Sequence, residues 1–67
     1  MKTWQVLKID CFGKRFQVVY HDGCVNPFWI YRITDVPTDH GYYRQRKTIE
    51  VKYADMKSCM FYLTQQF

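Results

Sequence analysis

The spacing of apolar residues changes once along this chain, and that change limits what it can fold into. Up to Tyr53 the chain is rich in β-branched and aromatic residues, which alternate with polar ones in stretches such as Ile49, Val51 and Tyr53, while beyond it Met56, Met60, Leu63 and Phe67 stand at helical intervals, within about 60° of arc on a helical wheel. A strand shows alternate residues to one face and a helix every third or fourth, so the two parts fold differently. Asp55 stands just ahead of the helical run, where an N-cap carboxylate accepts from the free amides of the first turn. The expected fold class is α+β, in the order β-β-β-β-α. It is a small antiparallel sheet of three or four strands, with one C-terminal helix packed on one face.

The strand boundaries follow from turn chemistry. "TWQVLKID" and "KRFQVVYH" flank Cys11-Phe12-Gly13, read as a three-residue hairpin loop with glycine in the left-handed position. That loop opposes Asp10 with Lys14, Lys8 with Phe16, Val6 with Val18 and Trp4 with Tyr20, and it leaves Leu7, Ile9 and Val19 on the outer face. "HDGCVNP" is a turn-rich connection to a third run, "FWIYRITD", whose more consistently apolar side is Trp29, Tyr31 and Ile33. In "YYRQRKTIEVKY", Ile49, Val51 and Tyr53 alternate with Thr48, Glu50 and Lys52. Carried back to the start of the run, this period turns Arg44 and Arg46 away from the core with Lys52. The predicted core is Trp4, Val6, Phe16, Val18, Tyr20, Trp29, Tyr31, Ile33, Ile49, Val51, Met56, Met60 and Leu63.

Residues 1–67 read as a single domain without repeat, low-complexity tract or linker. Such a chain supplies a core worth only about 3–5 kcal/mol net, and chains of this size gain from a partner. With 48% hydrophobic and 19% aromatic residues, it has the material for a packed core and does not have the composition of a disordered segment. Cys11, Cys24 and Cys59 cannot all pair within one chain, and they are read as reduced thiols of a cytoplasmic protein. No apolar stretch reaches the ~18 residues of a membrane span, and the N-terminus lacks the apolar centre of an export signal, so no membrane association is expected.

The net charge of +4 is unevenly spread. Residues 1–20 carry +3 (Lys2, Lys8, Lys14 and Arg15 against Asp10), and residues 42–53 carry +3 (Arg44, Arg46, Lys47 and Lys52 against Glu50). Between them, residues 21–41 carry −2 (Arg32 against Asp22, Asp35 and Asp39). Arg15, Arg44, Arg46 and Lys52 are therefore candidates for a basic sheet surface that contacts phosphates, each contact releasing counterion. The solvated face of an ordinary antiparallel sheet carries the same residue types. Tyr42 and Tyr43 can stack on unpaired bases or serve as strand formers pointing to opposite faces. In its order of elements, a small antiparallel sheet followed by one helix, the chain is similar to the integrase-arm and plant AP2-type DNA-binding domains, which read DNA with the sheet.

On the helix, the stripe through Met56 and Leu63 leaves Phe61 and Tyr62 pointing away, beside Ser58 and Gln65. Two adjacent outward aromatics of this kind often mark an interface, the alternatives being a broad buried stripe or a fraying chain end, and Phe61, Tyr62 and Gln65 are the candidate protein-contact residues. Cys11, His21, Cys24, His40 and Cys59 show no paired metal-ligand spacing, and neither a zinc site nor any cofactor is expected. No phosphate loop or nucleophile-base setting appears, so neither catalysis nor a small-molecule substrate is expected. The functional expectation is a non-catalytic binding module that self-associates or docks a protein partner through its C-terminal helix. The alternative is a nucleic-acid-binding domain, for DNA or RNA, that uses its basic sheet face.

Overall fold

The computed structural model describes residues 2–67. Its elements are β1 (Thr3–Cys11), β2 (Lys14–His21), β3 (Phe28–Pro37), β4 (Tyr43–Tyr53) and α1 (Met56–Gln65). The strands form one antiparallel sheet in the order β1-β2-β3-β4, with α1 across one face against β3 and β4. The α+β class and the element order are those expected, with four strands.

The first hairpin turns more tightly than the sequence suggests. Phe12 (φ 53°) and Gly13 (φ 76°) both lie in the left-handed region, and Cys11 pairs directly with Lys14, so the loop has two residues and not three. A two-residue turn with both positions left-handed matches the twist of the flanking strands. Its effect is to shift the register by one, opposing Ile9 with Phe16 and Leu7 with Val18. A bulge then absorbs Val6, and Gln5↔Val19 and Trp4↔Tyr20 fall in the expected register. Leu7 and Ile9 therefore face the core, while Val6 leaves it and is exposed.

The core is Phe16, Val18, Ile30, Cys59 and Leu63, with Leu7, Ile9, Phe28, Val51, Tyr53, Met56 and Tyr62 packed around it. In β3 the phase is opposite to the one expected. Phe28 and Ile30 lie under the helix, and Trp29, Tyr31 and Ile33 occupy the other face. Both sides of this strand are apolar, so alternation alone does not choose between them; compact Ile30 fits between Val18 and Val51 beneath a helix. Trp4 remains about half exposed although its ring lies 4.7 Å from that of Tyr20.

The helix is also rotated from its expected setting. Cys59 and Leu63 are its buried residues, with Met56 and Tyr62 partly covered, whereas Met60 is 42% exposed. Burial pushes the Cys59 thiol up to about 11. The N-cap is as expected, with the Ser58 amide donating to Asp55 Oδ1 at 2.7 Å. At the other end Lys14 Nζ donates to the Gln66 carbonyl at 2.6 Å, placing a cation where the helix dipole is negative. All three cysteines are free thiols, exposed at Cys11 and buried at Cys59. Among the described residues no helix is long and apolar enough to cross a membrane.

A single sheet with one ten-residue helix gives a thin molecule, 40 × 30 × 15 Å. One sheet face has no second layer. The pairing of β2 with β3 ends at Arg15↔Ile33, yet β3 and β4 continue to pair through Thr34↔Arg46, Asp35↔Gln45, Val36↔Arg44 and Pro37↔Tyr43. These last pairs form a two-stranded ribbon that projects beyond the rest of the sheet.

Candidate functional site

The ribbon is closed by a turn in which the Gly41 amide donates to Thr38 O at 3.2 Å and the Thr38 amide to Tyr42 O at 2.8 Å. Gly41 has φ 79°, the left-handed residue that follows a type I turn in longer hairpin loops. Thr38 Oγ1 also donates to Tyr42 O at 2.8 Å, holding the start of β4 against the turn. Beyond this turn stand Tyr42 (75% exposed), Tyr43 (74% exposed), Arg44, Arg46 and Lys47, all exposed. Among the described residues no ion pair engages Arg44, Arg46 or Lys47. Of the two carboxylates on the ribbon and its turn, Asp35 is held by Arg15 at 2.7 Å, and Asp39 in the turn is exposed and makes no ion pair among the described residues.

The four basic residues singled out in the sequence do not share one face. A second bulge in β4 falls at Glu50, where the pairing steps from Ile30↔Val51 to Tyr31↔Ile49. One extra residue inverts the alternation on its N-terminal side. Ile49 turns outward and is nearly half exposed, while Arg44 and Arg46 move to the helix side of the sheet, where their partners Val36 and Thr34 lie. Lys47 faces the other way, opposite Ile33. The ribbon thus carries cations on both faces, which strict alternation does not predict. Lys47 was legible as a charge in "RQRK" but not as part of a surface.

Arg15 and Lys52 do lie on the bare face, and both are engaged there. The bond to Asp35 raises the Arg15 guanidinium above its ordinary value. Lys52 Nζ sits 3.9 Å from the centre of the Trp29 ring, and His21 from the far side of Trp29 stacks on it at 3.6 Å. Trp29 Nε1 donates to the Asn26 carbonyl at 2.9 Å, and His21 Nε2 is 3.2 Å from the Tyr31 hydroxyl. Lysine, indole and imidazole thus form a row across three strands that covers the sheet in place of a second layer. Ile33 is only 4% exposed on this face. Because both faces of the indole are occupied, Trp29 offers no open stacking platform.

On the helix, Phe61 and Tyr62 part company. Phe61 is 69% exposed beside an open concavity with Tyr53, Lys57 and Ser58, and Gln65 is exposed too. Tyr62, expected to point outward, is instead packed against the core. Its ring lies 6.0 Å from Tyr53, and its hydroxyl donates to Glu50 Oε2 at 3.1 Å. The other Glu50 oxygen pairs with Arg32 Nε, and the Arg32 guanidinium lies over the Phe16 ring at 5.2 Å. The bulge that frees the ribbon arginines therefore also supplies the carboxylate that turns Tyr62 inward.

Among the described residues no three His, Cys, Asp or Glu side chains come together as a metal site. Compared with known proteins, the chain matches no family model, no curated protein and no solved structure.

Proposed function

We propose that this chain is a non-catalytic nucleic-acid-binding module that presents the tip of its β3–β4 ribbon to the polyanion. The observation that carries this reading is the ribbon's unpaired charge. Arg44, Arg46 and Lys47 project from its two faces, exposed and without carboxylate partners among the described residues. Ion-paired cations gain little from a phosphate because they must first give up a partner, whereas free ones bind and release counterion. Tyr42 and Tyr43, adjoining these cations, add rings on which unpaired bases stack. The reading therefore favours single-stranded RNA or DNA over duplex.

Arg44 and Arg46 carry the proposal, whereas Arg15 and Lys52 are engaged on the bare face by Asp35 and Trp29. On the outer side of the helix only Phe61 and Gln65 of the three candidate contact residues stay exposed, because Tyr62 turns inward, and they make a smaller anchor than an adjacent aromatic pair.

The test is anisotropy of labelled single strands. If all three cations contact phosphate, affinity for a single strand falls about twentyfold between 50 and 200 mM salt. Replacing Arg44 and Arg46 together by Ala lowers the log–log salt slope by about 1.4. Unchanged affinity in that variant would refute the assignment.

A further inference from the structure

Both outer strands leave a backbone edge unpaired, and the two differ in what they allow. Exposed edges recruit other strands unless bulges or charges oppose it. In β4 four basic residues stand against one acidic residue, so pairing two copies of this edge opposes like charges. β1 carries one of each. Between the Val6 bulge and the Phe12-Gly13 turn it offers a regular five-residue segment, Leu7-Lys8-Ile9-Asp10-Cys11.

A two-residue turn closes on a hydrogen-bonded pair, here Cys11 and Lys14. Hydrogen-bonded and non-hydrogen-bonded pairs then alternate, so Cys11, Ile9 and Leu7 direct their amides and carbonyls to β2, while Asp10 and Lys8 direct theirs to the open edge. In an antiparallel pair of identical strands directly opposed residues share a face, so the two-fold axis passes between a residue and its own copy. An axis at Lys8 opposes two lysines, and one at Asp10 opposes two aspartates. An axis at Ile9 opposes Lys8 with the second copy's Asp10, twice. It also matches the four backbone bonds that Lys8 and Asp10 have to offer.

We infer that this edge is a homodimer interface, in which β1 pairs antiparallel with β1 of a second copy about an axis at Ile9, joining the two sheets into one of eight strands. The charge complementarity lies on the bare face of the sheet. On the helix face the same register opposes Ile9 with Ile9 and Leu7 with Cys11. It brings together two apolar grooves of about 320 Å³, each lined by Ile9, Cys11, Met60, Leu63, Thr64 and Phe67. Met60 and Phe67, left nearly half exposed by the rotation of the helix, are the side chains such a contact covers. The interface lies at the opposite edge of the sheet from the ribbon, so it does not depend on the proposed function.

The test uses charge exchange in the full chain, followed by sedimentation equilibrium from about 10 µM to about 1 mM, the range of a weak dimer. Lys8→Asp and Asp10→Lys each oppose like charges in their own homodimer and are expected to weaken it about tenfold. An equimolar mixture restores two unlike pairs, and the dimer returns as a heterodimer. Lys8 and Asp10 are exposed, and Lys8→Asp also leaves the Asp10↔Arg15 cross-strand pair intact, so loss of folding does not imitate the result. Three results would overturn the inference: a monomeric wild type throughout the range, a dimer indifferent to both substitutions, or no recovery on mixing.

Discussion

Three side chains do local work that can be measured one at a time. Phe12 holds φ 53° with its side chain 89% exposed, so it occupies a left-handed position with no burial to offset the strain. Asparagine tolerates that region, and Asn-Gly is the preferred pair for this turn. Phe12→Asn is therefore expected to stabilise the fold by about 0.5–1 kcal/mol, read as a higher midpoint in urea at unchanged slope. Asp55 illustrates a charge effect. The hydrogen bond from the Ser58 amide holds its carboxyl below the usual value, so the charged cap stabilises the fold above the unfolded pKa of about 3.9. That contribution is lost as pH falls through the folded value. Asp55→Asn keeps a capping oxygen but loses the charge. It is expected to melt about 1–2 °C lower than wild type at pH 7, with the gap closing below about pH 4. The third side chain, Glu50, reaches from the sheet to the helix.

At the scale of elements, Glu50 ties the β4 bulge to β3 through Arg32 and to α1 through Tyr62. Glu50→Ala leaves a half-exposed arginine without its partner and a hydroxyl without its acceptor. The expected cost is about 1–2 kcal/mol in thermal or urea unfolding. It is also expected to loosen Tyr62, seen as faster hydrogen exchange along α1. A cost within about 0.3 kcal/mol, the error of such measurements, would show that the bulge is held by backbone pairing alone. The strands, the helix and its N-cap were all legible in the sequence, because alternation, period and an acidic cap are local signals. The two bulges were not. Ile49-Glu50-Val51 reads as unbroken alternation, and nothing local says that Glu50 is an extra residue held by Arg32 and Tyr62 from other elements. The phase of the helix was hidden for a related reason. Its deepest residue is Cys59, which a search for large apolar side chains passes over. Ile33 shows the reverse case: its burial was anticipated, but on the face opposite the helix.

For the molecule as a whole, the arrangement separates stability from binding. The core lies where β1, β2, β3 and the C-terminal part of β4 meet the helix, and the ribbon beyond Ile33 contributes little to it. Substitutions at Arg44 and Arg46 are therefore expected to leave folding unchanged, so their effect on binding can be read directly. The basic stretch first seen in "YYRQRK" is strand and surface together: its backbone pairs with β3, and its side chains on both faces reach solvent. If β1 pairs with a second copy, the two ribbons stand at opposite ends of the eight-stranded sheet and give the assembly two separated sites. Nucleic-acid binding by the ribbon is tested by comparing wild type with the Arg44→Ala, Arg46→Ala double variant. Both are titrated against a labelled single strand at 50 and 200 mM salt, with circular dichroism to establish equal folding. Wild type is expected to bind at low salt and to lose about twentyfold in affinity at high salt, and the variant to bind more weakly with a slope lower by about 1.4. Equal binding and equal slope in two equally folded proteins would contradict it.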